Sequence, residues 1–155
     1  MRKFVLGGLA ALAFGPPASM AATSVDIPLS GVLSKACEIS AFLNGPFDAL
    51  DLTSTAVQGA ESLTVNCNYG GSASVTFTSV NAGALASGAN TVPYNLVVSG
   101  SPFSGGVSLA TPQTWAGFPA VANANQTRSL SIQLANAASV AGTYTDTITA
   151  AVTPN

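Results

Sequence analysis

The chain has 155 residues, 48% of them hydrophobic and 6% charged, with four Lys or Arg against six Asp or Glu and no histidine. That balance excludes nucleic acid as a partner, because phosphate binding needs clustered cations. The missing imidazole removes the usual Ser-His-Asp and Cys-His arrangements and the commonest metal ligand, so neither an enzyme nor a cofactor is expected.

Arg2 and Lys3 precede an apolar run over residues 4–14, broken by Gly15, Pro16 and Pro17 and followed by the small residues Ser19 and Ala21. The pattern predicts a secretory signal peptide over 1–21 with cleavage after Ala21, the apolar run being too short for a membrane span of about 20 residues. No later stretch is long and apolar enough to cross a bilayer. The mature chain, 22–155, is therefore expected to leave the cell membrane in soluble form and to suit a single domain. Its only cations are Lys35 and Arg128, against all six carboxylates. A surface so poor in charge fits a protein whose faces are covered by copies of itself.

Directly after the cleavage point, Val25, Ile27, Leu29, Gly31 and Leu33 are interleaved with Ser24, Asp26, Pro28 and Ser30. Side chains two apart on a strand share a face, so the segment presents one apolar ridge that must be buried. Two burials are open: in its own domain, or in the sheet of a neighbouring copy.

Cys37 and Cys67 are the two cysteines of an exported chain, and the simplest arithmetic pairs them. Closing a loop of about 30 residues stabilises a fold by roughly 3 to 4 kcal/mol in the chain-entropy model. A redox or metal pair is disfavoured by the spacing and by the absent histidine.

Further strands are predicted at 32–40, 61–69, 73–80, 91–99, 128–135 and 142–153, with weaker ones at 46–52 and 106–110. These segments are rich in Val, Thr, Ile and aromatic residues and are separated by Gly, Asn, Ser and Pro. The Ala- and Gly-rich residues 81–90 show no periodicity and read as a surface loop. About six to eight short strands at this spacing predict an all-β fold, an antiparallel immunoglobulin-like sandwich. The strand at 142–153 is followed only by Pro154 and Asn155, so its far edge is expected to lack a partner in its own chain, which leaves a groove beside the core.

Several residues invite a chemical reading. Asp48 and Asp51 are close enough for a carboxylate pair or a calcium site, but a solvated turn is preferred. Trp115 and Phe118 lie in TWAGFPA, read as a Pro- and Gly-punctuated loop. Core packing or contact with a neighbouring subunit is preferred there to a glycan-binding patch. Asn125-Gln126-Thr127 matches a glycosylation acceptor, which carries little weight in a bacterial export.

The alternating segment, SKACEIS (34–40), LTVNCNYG (63–70), TVPYNLVVSG (91–100) and above all AGTYTDTITAAVTP (141–154) together resemble the subunits of archaic chaperone-usher pili, the spore coat protein U domain. The resemblance implies a single incomplete immunoglobulin-like sandwich at 32–155 lacking its last strand. A periplasmic chaperone would hold it, and at the outer-membrane usher the N-terminal extension, 22–31, of the next subunit would complete it. It further implies a donor face of Val25, Ile27, Leu29, Gly31 and Leu33, with Gly31 where the groove is tight. The acceptor groove would be bordered by Tyr144, Ile148, Ala150 and Val152 of the last strand. Pro28 departs from an ideal strand and must turn its nitrogen away from the pairing edge. The expected role is the shaft subunit of a cell-surface pilus for attachment and biofilm formation, a head-to-tail homopolymer carrying a separate tip adhesin. The alternative is a secreted, self-complemented binding or coat protein, which the short stretch available for turning the tail around disfavours.

Overall fold

Period-two alternation organises the chain. In β2 (Val57–Cys67), Leu63, Val65 and Cys67 turn inward between polar neighbours. The same rhythm buries Ala73, Val75 and Phe77 of β3 (Gly71–Ser79) and Val92, Tyr94, Leu96 and Val98 of β5 (Asn90–Val98). Leu130, Ile132 and Leu134 of β8 (Asn125–Leu134) follow it too. These elements come from a computed structural model that describes residues 23–43 and 45–155. The predicted signal peptide lies outside the described residues.

The chain divides into two units, one ending at Val32 and the other spanning Leu33–Asn155. In the first, residues 23–32 form no regular secondary structure, and Val25, Ile27 and Leu29 are 82%, 76% and 93% exposed. The second is an all-β sandwich of two antiparallel sheets around one apolar core. The larger sheet runs β1-β2-β8-β5-β4, where β1 is Cys37–Phe42 and β4 is Ala84–Ser87, with β6 (Val107–Ser108) also paired to β5. The smaller runs β7-β3-β9, where β7 is Gln113–Ala120 and β9 is Ile148–Pro154. Cys37 and Cys67 form a disulfide at the first registered pair of β1 and β2.

Several expectations about local structure are corrected. The strand predicted at 32–40 begins only at Cys37, because the backbone of Ser34 and Ala36 bonds the side chain of Asn68 instead of a strand. Residues 46–52 hold a 3-10 turn at Pro46–Ala49, entered through Gly45 in the left-handed region (φ 91°) and closed by the Asp48 N–H on the Gly45 carbonyl. The supposed loop at 81–90 contains β4, which pairs with β5 and buries Leu85. Its two-residue hairpin turn takes Gly88 at φ +60°, the type II′ requirement, so a composition that looked featureless carried a turn signal. The last strand starts at Ile148, since Thr145 bridges Ala86 of β4 and Asp146 is held by Ser79, Asn81 and Tyr94 instead of continuing the ladder with β3.

The largest correction concerns TWAGFPA, which is strand β7. Trp115 and Phe118 both face the core, 7% and 0% exposed, although three residues apart. The register against β3 slips between Ala73 and Val75, so Ala116 and Gly117 together oppose Ser74 and the bulge returns Phe118 to the inner side. The two rings meet edge to face at 4.8 Å, and the Arg128 guanidinium covers both, 5.7 Å from Trp115 and 5.3 Å from Phe118.

The disulfide spans 30 residues. Replacing both cysteines by serine should lower stability by about 2 to 4 kcal/mol, seen as a lower urea midpoint than the oxidised chain.

Candidate functional site

β9 is bonded through one edge to β3, from Ala73↔Pro154 to Ser79↔Ile148, and β1 through one edge to β2, from Cys37↔Cys67 to Phe42↔Ser62. Each closes its sheet, so the opposite edges of both strands have no ladder partner among the described residues. The edges border a groove of about 400 Å³. Ile39, Ala41 and Leu43 line one side, Ile148 and Ala150 the other, and Leu63, Phe77, Leu130 and Ile132 the floor. Phe47 and Leu50 close one end. The lining is mostly apolar, and Phe42 and Leu43 beside it are 66% and 70% exposed.

Local sequence explains each wall. Ile148, Ala150 and Val152 alternate on the inner side of β9 but are only half-buried, whereas Val75 and Phe77, opposite them on β3, are sealed. The end wall depends on Gly59. There β2 bulges against β8 between Gln58 and Glu61, Gly59 adopts φ +69°, and a Cβ at that position would meet the Phe47 ring at 2.7 Å. Only glycine meets both conditions. The bulge leaves Glu61 in line with Leu63, so its carboxylate is buried (2% exposed) and lines the groove.

Asp146 organises the approach to β9. Its Oδ2 accepts from Ser79 Oγ and Tyr94 Oη, both at 2.6 Å, and its Oδ1 accepts from the Asn81 and Thr147 N–H groups at 2.9 and 2.7 Å. One carboxylate thus joins the last segment to both sheets. Partial burial pushes its pKa up, but the four donors, Ser79 and Tyr94 foremost, outweigh burial and hold it below the usual carboxylate range. Burial and the bond to Asp146 push the Tyr94 hydroxyl well above its ordinary value, so it stays protonated and donates.

The residues singled out from sequence fall in different places. Ile148 and Ala150 line the groove, and Val152 continues the same side of β9. Tyr144 lies before β9, where its hydroxyl donates to the Val140 carbonyl at 2.9 Å beside a second, shallower depression. Leu33 is 86% exposed. Asp48 lines the groove's end, while Asp51 accepts from the N–H and hydroxyl of Thr53. That turn holds the Asp51 carboxyl below its ordinary value, mainly through the hydroxyl bond. Asn125 lies on β8, its Oδ1 accepting from Asn66 Nδ2 at 2.7 Å. Among the described residues no three His, Cys, Asp or Glu side chains are grouped to hold a metal ion, and no helix is long and apolar enough to cross a membrane.

Sequence reasoning assigned no role to Asp146, Tyr94, Glu61 or Phe47. A signal existed for the first two. Tyr94 and Asp146 sit in the two segments TVPYNLVVSG and AGTYTDTITAAVTP, and Asp146 is the only carboxylate after Glu61. Compared with known families, residues 23–151 match the Spore Coat Protein U domain, a structural domain of pilin type and not an enzyme family. No curated protein matches the chain.

The Asp146 network implies a pH dependence with a defined sign. A carboxylate whose pKa is lower folded than unfolded contributes stability that is fully present above its unfolded value, near 3.9, and is lost as pH falls through the folded value. Asp146→Asn should therefore cost about 1 to 3 kcal/mol at neutral pH, and the cost should shrink as pH falls below the unfolded value, in urea titrations across that range.

Proposed function

Because the chain belongs to the Spore Coat Protein U domain family, we propose that it is the repeating shaft subunit of a chaperone-usher pilus, polymerised by donor-strand exchange for attachment and biofilm formation. The observation that carries this reading is the pairing of two features in one chain. An apolar groove lies between two strand edges that have no ladder partner among the described residues, and an alternating apolar segment is exposed almost along its whole length.

In the filament, Val25, Ile27, Leu29, Gly31 and Leu33 of one subunit enter the groove of the next. Their backbone bonds the free edge of β9, and their apolar face covers Phe77, Leu130 and Ile132. Each free edge group that gains a partner contributes about 1 kcal/mol, and each buried Val, Ile or Leu about 1.5 to 3 kcal/mol before ordering costs. Every copy donates one strand and accepts one, so the contact is head-to-tail and builds an open filament. Before assembly a periplasmic chaperone occupies the groove. The outer-membrane usher exchanges that strand for the next subunit's, and a separate adhesin forms the tip.

The experiment compares the mature chain with a version lacking residues 22–31, by non-denaturing gel and electron microscopy after release from the chaperone. Fibres from the full chain alone support the reading; stable monomers from both mean a complete sandwich and overturn it. Ile27→Asp or Leu29→Asp should retain chaperone binding and abolish fibres, whereas wild-type fibres from either variant would show that the donor face is misassigned.

A further inference from the structure

One side chain holds the stretch that leads into β1. Asn68, in the turn after β2, accepts the Ala36 N–H on Oδ1 at 2.9 Å and donates through Nδ2 to the Ser34 carbonyl at 2.9 Å. Its own N–H bonds the Ala36 carbonyl at 3.0 Å. Next to it, Lys35 donates to the Asn155 carbonyl and lies 4.7 Å over the Tyr69 ring. Asn155 N–H in turn donates to Tyr69 Oη at 3.0 Å. Residues 34–36 are therefore fixed immediately before the disulfide-bonded Cys37.

The placement matters because of what a chain with this groove could do to itself. The groove lies between β1 and β9, so a strand of the chain's own lying in it would run either parallel or antiparallel to β1. A strand parallel to β1 needs a crossover of about a dozen residues or more, which the stretch before Cys37 cannot supply once the strand itself is formed. An antiparallel strand needs a tight hairpin, and with Cys37 already in β1 the turn must fall within residues 33–36. Of these, Ser34 and Ala36 are held by Asn68, and Lys35 by Asn155 and Tyr69.

We propose that Asn68 is a positioning residue that prevents self-closure: by holding Ser34 and Ala36 it forbids the hairpin that would fold residues 24–33 into the chain's own groove, and so reserves the segment for a second copy. The proposal rests on the polymerisation reading above. It assigns a purpose to the second Asn of LTVNCNYG that closing the β2 turn alone does not require.

The test refolds mature wild type and Asn68→Ala without chaperone at one concentration. Size exclusion with light scattering follows oligomers, and limited proteolysis follows residues 23–33. Losing two side-chain hydrogen bonds should raise the ratio of closed monomer to polymer about 10- to 100-fold, with the segment protected in the monomer. Wild-type and variant chains that polymerise alike overturn the proposal and leave the polymerisation reading intact. Wild-type chains that are already closed monomers overturn both. If Asn68→Ala fails to fold, Asn68→Asp decides, since a carboxylate still accepts the Ala36 N–H but cannot donate to the Ser34 carbonyl. Protected monomers support the proposal and polymers overturn it.

Discussion

Backbone groups on the outer edges of β1 and β9 have no ladder partner among the described residues, and the rest of the sandwich is arranged around that constraint. Each strand is pinned through its other edge, β1 by the disulfide and six register pairs to β2, and β9 by seven pairs to β3. The groove between them is consequently bounded by secured strands. A partner entering it meets a preformed template, which lowers the ordering cost of association.

Polar chemistry appears where that template needs fixing. The Asp146 carboxylate joins Ser79 on β3, Tyr94 on β5 and the backbone of residues 81 and 147, so the two sheets are tied together at the point where β9 begins. The opposite region is closed by Arg128 over Trp115 and Phe118, an inward-facing cation that contributes its flat face to the core. With few charges in the chain, those that are partly buried are held by specific partners.

Fold class was legible from sequence because β2, β3, β5 and β8 alternate cleanly, and the disulfide because an exported chain holds two cysteines that can pair with each other. The misread segments break alternation for identifiable reasons. In β7 a bulge at Ala116 and Gly117 puts Trp115 and Phe118 on one side despite their odd spacing, and proline and glycine then suggested a loop. In β4 the apolar residues are mostly alanine, and only Leu85 and the turn at Gly88 betray a strand. The groove's end was illegible, because Phe47 reaches Gly59 through tertiary packing that no local pattern encodes. Asp146 and Tyr94, 52 residues apart, meet only once both sheets exist.

The position of the disulfide has a mechanical consequence. Cys37 is the first residue of β1 and is bonded to Cys67 at the last residue of β2. A pull on the residues before Cys37 would otherwise peel β1 away one hydrogen bond at a time, unzipping the wall of the groove. With the staple at the point of entry, load passes covalently into β2, a strand held on both sides by β1 and β8. β1 is thereby relieved of tension, so the wall keeps its shape while the chain is stretched.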